Sequence, residues 1–504
     1  MTAQPFRKDR AVIPRWRPTA RVAAAGELGM PGNPGPPQDH AIPVELKERL
    51  EAWRRSNDVV AAAELVETAI VEGREQEAER AARSIVREDS GAVPLVKKQA
   101  ALLLGRLGVE TAALQTSGEI GSLRRHVYRF PEDAFSWADL ALAFVIVGKK
   151  AAAQRAMTIA LQLAPTDRHI LRCAARMYLH LDDAEHAHDI LRRNEATRFD
   201  PWLVAGEIAL SSAAGRKPQF LKIGVGMVED GGFQSLHVSE LASAIGTVHL
   251  RDGNRRARKL FRTSLLNPTG NSLAQAEWAN PHLGGELVTP QEIEHVPDSG
   301  EARAFHAYWQ GDFEGLLRTS EQWMMEEPFS SRPYGVGSLA AITLGDAETA
   351  CRLAARGLHL EPDSPLFRNH LAYALIEKGE YPRATEILRQ ALNKKPDEYV
   401  AGYLVATAGM LSMRLGDVDE GIASYRAVIS AFKKQGNQSA EASATAFLAL
   451  EAARAGSPLT AEFVKQAEDL TKVLRYAPEA KVVLERAKVW KAAVDHRLHV
   501  SSPG

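Results

Sequence analysis

Residues 367–398 read "FRNHLAYALIEKGEYPRATEILRQALNKKPDE". Laid over "WADLALAFVIVGKKAAAQRAMTIALQLAPTD", residues 137–167, they place the same residue types at the same spacings. Counting from Pro365, slots 4, 7, 8 and 11 hold Arg368, Leu371, Ala372 and Leu375, and slots 15, 20, 24, 27 and 32 hold Gly379, Ala384, Leu388, Ala391 and Pro396. Counting from Ala134, the same slots hold Trp137, Leu140, Ala141, Phe144, Gly148, Ala153, Met157, Ala160 and Pro165. Counts begun at Ser331 and at Arg168 keep the phase, giving two adjoining pairs of units 34 residues apart.

The slots have a mechanical meaning. Spacings of three and four put slots 4, 7, 8 and 11 on one face of a first helix. Slots 20, 24 and 27 share a face of a second. Glycine near slot 15 closes the first helix with a left-handed cap. Slots 8 and 20 are small because two antiparallel helices approach there, and a bulky side chain would overpack by about 1–3 kcal/mol. Proline near slot 32 stops the second helix.

This pattern resembles the tetratricopeptide repeat, which has the same period, small residues and proline. The resemblance implies an all-α chain: a right-handed superhelical solenoid of antiparallel helix pairs. Degraded copies fit residues 59–92, 238–268, 297–330 and 402–435, and residues 93–133, 202–237 and 439–475 read as divergent helix pairs. Residues 478–496, "PEAKVVLERAKVWKAAVDH", read as a last amphipathic helix covering the open end of the array.

Two stretches break the regularity. Residues 29–37, "GMPGNPGPP", form a proline- and glycine-rich linker, so residues 1–42 read as a basic, disordered tail. Residues 280–300 are rich in turn formers and read as a hinge loop between an N-terminal array, 43–279, and a C-terminal array with its capping helix, 301–504.

Composition narrows the function. Lysine plus arginine (62) nearly cancel aspartate plus glutamate (63), which excludes a surface built to coat nucleic acid throughout. The exception is the tail, where residues 1–26 carry six basic side chains and one acid. Two cysteines, Cys173 and Cys351, cannot make a disulfide framework and fit a reducing, cytoplasmic setting. The basic N-terminus has no apolar run behind it, so no secretion signal is expected, and "LALAFVIVG" (140–148) is too short to span a bilayer.

No catalytic constellation emerges, and no cofactor or metal is expected. The best metal candidate, "HLDDAEHAH" (180–188), has no zinc-ligand spacing and crosses a turn between two helices. The glycines of "GVGMVEDGG" (224–232) lack the strand–turn–helix context of a nucleotide loop.

The resemblance implies that slots 2, 5, 9, 12 and 13 of first helices line a groove that holds a partner peptide. These slots assign Asn369 and Tyr373 in one unit and Tyr403, Met410 and Met413 in the next as contacts, with Arg172 and Arg176 as a basic stripe for an acidic segment. The lysine and asparagine that some families use to clamp a chaperone's C-terminus are missing, since slot 5 holds Ala138, Arg172, Gly335, Asn369 or Ala406. In the tail, Arg15, Trp16 and Arg17 are a second candidate, as a docking motif or as a charge-and-stacking contact to RNA. The expectation is a non-enzymatic protein–protein interaction scaffold or regulatory adaptor. The alternative is a regulator of nucleic acid, or of an enzyme that processes it, acting through the basic tail.

Overall fold

A computed structural model describes Arg15, Trp16, Thr19 and residues 44–500, apart from 72–74, 87–90, 94–95, 98–99, 101–102, 104–111, 285–286, 297–298, 395, 397 and 475–476. The linker at 29–37, Arg17 and most of the tail lie outside the described residues. All regular structure among the described residues is helical.

Two units can be distinguished: residues 11–252 with 325–329, and residues 253–324 with 330–504. The division falls at 252–253, not in the turn-rich 280–300 segment. That segment lies inside the second unit and carries a short helix capped by Thr289 and Glu292. Its turn residues serve as caps: Gly284 ends a 3-10 turn at φ 97°.

The first unit contains α1 (Val44–Ser56), α2 (Val59–Val71), α3 (Glu79–Val86), α4 (Ala112–Arg129), α5 (Ala134–Ile146), α6 (Lys150–Leu163), α7 (Arg168–His180), α8 (Ala184–Arg193), α9 (Pro201–Ala213), α10 (Leu221–Glu229) and α11 (Ser235–Arg251). The second contains α12 (Ala257–Ser264), α13 (Gly270–Ala279), α14 (Pro290–His295), α15 (Gly300–Gln310), α16 (Phe313–Glu326), α17 (Arg332–Leu344), α18 (Ala347–Leu360), α19 (Pro365–Glu377), α20 (Tyr381–Asn393), α21 (Glu398–Leu415), α22 (Val418–Lys434), α23 (Gln438–Arg454), α24 (Thr460–Val473) and α25 (Pro478–Val500).

Within each unit the 34-residue phase becomes stacked helix pairs: α5 with α6, α7 with α8, α17 with α18, α19 with α20, and α21 with α22. In three of these pairs the slot just before the first helix caps it. Asp133, Asp167 and Ser364 accept backbone N–H groups of α5, α7 and α19, satisfying donors the helix itself leaves open. Gly148, Gly345 and Gly379 end first helices at φ 72°, 85° and 78°, where any side chain would be strained. In the unit from Arg168 the same slot holds Asp182, at φ 63°.

The small slots meet face to face. Ala141, Ala153, Ala372 and Ala384 are fully buried. In the unit from Gly402, slots 8 and 20 are Gly409 and Gly421. A Cβ on Gly421 would stand 2.6 Å from the Gly409 carbonyl oxygen and 2.2 Å from the Met413 side chain. The backbones are therefore closer than even alanine allows.

The last helix departs from a simple end cap. α25 packs on α23 and α24, and it also reaches α15 and α17. Its Arg486 guanidinium donates to the carbonyls of Ile342 (3.0 Å), which also accepts the Gly345 N–H, and Thr343 (2.8 Å), completing the acceptors at the C-terminus of α17.

Candidate partner-binding site

In the second unit the first helices touch one another from pair to pair, α17 to α19, α19 to α21 and α21 to α23. They form a continuous inner row. A cavity of about 80 Å³ opens in that row. α17 contributes Leu339 and Ile342, α19 contributes Asn369, His370 and Tyr373, and α21 contributes Tyr403 and Thr407. Phe447 of α23 and Glu479 in the first turn of α25 close it. Slot arithmetic thus brings Asn369, Tyr373 and Tyr403 to one place.

Two other assigned residues are not there. Met410 is fully buried and Met413 nearly so, packed against Gly421 at the close helix approach. Neighbouring helices cover this face of α21, so these thioethers serve as packing.

The walls are polar in a particular way. The Tyr373 ring meets Phe447 edge-on at 5.7 Å. Its hydroxyl and Asn369 Oδ1 are buried without a hydrogen-bond partner, although such groups ordinarily find one. His370 Nδ1 lies 2.7 Å from Ser338 Oγ, and burial pushes the imidazole down to about 4, so it is neutral. Tyr403 shares a 2.7 Å hydroxyl contact with Tyr399. Burial pushes the Glu479 carboxyl up to about 7.

Beside the cavity, slot 13 of α19 and α21 joins α23 in a closed ion network. Arg414 Nε donates to Glu451 at 2.7 Å and its terminal nitrogen reaches Glu377 at 3.3 Å. Arg454 donates to Glu377 at 2.5 Å and to Glu451 at 2.9 Å. Two carboxylates and two guanidinium groups neutralise one another, and burial of the set makes each member depend on the rest.

In the first unit the proposed basic stripe is spoken for. Arg172 makes a bidentate pair with Glu240 (3.0 Å) while its guanidinium lies 5.1 Å from the Trp202 ring centre. Both members are 2% exposed, so no free charge is offered to an acidic segment. Arg176 pairs with Glu327 at 3.7 Å and lies over Phe329. Arg15 reaches Glu327 at 3.4 Å, and Trp16, 1% exposed, packs on Phe329 at 5.5 Å. The reading of Arg15 and Trp16 as part of a disordered tail gives way: an indole and a guanidinium with buried partners stay docked. The indole face is not open to stack on a base.

The histidine-rich turn is structural too. His188 is fully buried against Glu207 at 2.9 Å, and His186 sits at the α8 N-terminus capped by Asp183. Among the described residues no cluster of His, Cys, Asp or Glu could hold a metal ion, and no helix is long and apolar enough to cross a membrane.

Sequence reasoning missed Glu479, Phe447 and Arg486. One signal was available: Glu479 and Arg486 stand four and three residues from the apolar Val483, charged positions on a helical face otherwise suited to a core.

A family model described as tetratricopeptide repeat matches residues 341–406, which span α18, α19 and α20 and supply most of the α19 wall. Residues 341–406 carry tetratricopeptide repeats. No curated protein matches it in sequence. Among solved structures, the Cut9–Hcn1 hetero-tetramer of the APC/C is similar at 13% identity and a TM-score of 0.39, over 88% of this chain and 92% of that one. Yeast Tom70 is similar at 12% identity and 0.31, over 87% and 96%. The human IFIT1 dimer with m7Gppp-AAAA is similar at 16% identity and 0.38, over 74% and 95%.

Proposed function

We propose that this tetratricopeptide-repeat chain is a non-enzymatic, cytoplasmic scaffold or regulatory adaptor that holds a segment of another protein on the inner face of its second unit. One observation carries the reading: three successive first helices, α23 and α25 converge on a single cavity whose buried Asn369 and Tyr373 polar atoms lack partners. Leaving such groups unpaired costs about 1–3 kcal/mol each, and an incoming segment can recover that. Leu366, Tyr403 and Phe447 are half-buried around the cavity and supply apolar contact for it.

The test is selection of displayed random peptides on the immobilised full chain, with counter-selection on a Leu366→Ala, Tyr403→Ala variant. Peptides that share a pattern and bind the wild type alone support the reading. Equal enrichment on both proteins overturns it.

A further inference from the structure

We propose that the cavity under the first turn of α25 selects an organic cation, an ammonium or guanidinium group carried on an alkyl chain. This rests on the partner-binding reading of the inner face and names what that face recognises.

The lining residues supply acceptors and ring faces but no positive charge. Glu479 is the one carboxylate among them, nine-tenths buried. Asn369 and Tyr373, also more than nine-tenths buried, present an amide oxygen and a hydroxyl with no partner. Tyr373, Tyr403, Tyr425 and Phe447 line the same space, and the faces of such rings attract cations. His370 is held neutral by burial and cannot serve as the counter-ion.

Among the described residues, the cations near the cavity are committed elsewhere. Arg414 and Arg454 are held by Glu377 and Glu451. Arg486, on the same helix as Glu479, is held by the α17 carbonyls. Burial raises the Glu479 carboxyl, and among the described residues no hydrogen bond or ion pair to it is seen.

Chemistry then decides between ligand classes. An anion would meet Glu479 as a like charge. Above pH 7, where the carboxyl is ionised, a neutral group would leave that buried charge unpaired, which is costly. A cation answers the carboxylate, the two unpartnered acceptors and the ring faces together. Size narrows it further. At about 80 Å³ the space is smaller than the roughly 150 Å³ apolar cavity known to admit benzene, so it takes the end of a chain.

Two sources share this chemistry: a lysine or arginine side chain of a docked segment, or a free small amine. The test uses the full chain in amine-free phosphate buffer at about pH 8, where Glu479 is ionised. Calorimetry compares butylammonium and N-acetyl-lysine methylamide with the neutral 1-pentanol and N-acetyl-norleucine methylamide. The expected result is heat of binding from the cations alone, reduced at least tenfold by Glu479→Gln. Asn369→Leu is the second variant, and far-ultraviolet circular dichroism confirms that each is folded.

A docked side chain is indicated if selected peptides carry Lys or Arg and lose at least tenfold on replacement of that residue by norleucine or citrulline. A free amine is indicated if butylammonium binds at least as tightly as any selected peptide. The proposal is overturned if cations and neutral isosteres bind alike, if no cation binds by about 10 mM, or if Glu479→Gln binds unchanged. Peptides that need Leu366 and Tyr403 but ignore Glu479 overturn the cation assignment and leave the partner-binding reading standing. Cation binding without any selectable peptide does the reverse.

Discussion

Glu479→Gln should make the second unit more stable, and only above acidic pH. The carboxyl is 9% exposed, and burial raises its pKa from 4.5 to about 7. Between those values the folded chain holds a proton that the unfolded chain has released. Stability therefore falls as pH rises through the window, and the loss is complete above 7. A shift of that size corresponds to about 3 kcal/mol. Glutamine keeps the shape and removes the charge. It also forfeits the favourable placement of an acid at a helix N-terminus, about 0.3–1 kcal/mol, so about 2 kcal/mol of stabilisation remains.

At about 2–4 °C per kcal/mol for a domain of this size, the thermal midpoint at pH 8 should rise by roughly 5 °C, and at pH 5 by much less. The Tyr308 and Tyr403 hydroxyls that feel this carboxylate are held well above their ordinary range, so they do not titrate in the window. Circular dichroism melts of both proteins at the two pH values, in phosphate and acetate, make the comparison. An equal shift at both pH values, or a less stable variant at pH 8, would refute the account of an uncompensated buried charge.

Three further outcomes check the scaffold. Ala384→Leu should lower the melting midpoint through about 1–3 kcal/mol of overpacking, because the residue is fully buried at the close helix approach; an unchanged midpoint would mean the slots are misaligned. Glu451→Ala should cost about 3–5 kcal/mol in denaturant unfolding, since it strands the partly buried Arg414 and Arg454 on Glu377 alone. Gly379→Ala should cost about 1 kcal/mol by the same measurement, because alanine resists φ 78°, whereas the neighbouring Lys378→Ala, outside that conformation, should cost less.

Steric repetition is what made the fold readable. Every helix pair faces the same closest approach, so slots 8 and 20 must be small wherever the pair occurs, as Ala372, Ala384, Gly409 and Gly421 are. The inner row followed from the same ruler, which is how Asn369, Tyr373 and Tyr403, now seen lining one cavity, were assigned. The ruler assumes an open inner face at every unit, and it failed where neighbouring elements close over that face, at Met410 and Met413. It failed likewise at Arg172, whose partner Glu240 is 68 residues away. The place of Glu479 at the cavity escaped the ruler for the same reason: a helix remote in sequence delivers it, so its helical pattern marked a buried charge and not where that charge would go. The division at 252–253 falls at a short Asp-Gly-Asn turn like those inside the units, so the ruler gave it no special weight, while the conspicuous prolines and glycines of 280–300 serve local caps.

The grip of Arg486 on the end of α17 bridges 144 residues of chain. On the ribosome, α17 and its partners emerge long before the side chain that satisfies those carbonyls exists. The inner wall is thus completed last, by a closure that pays its loop entropy late. A nascent or proteolytically clipped chain lacking that helix would present a bare trough, a natural substrate for chaperones.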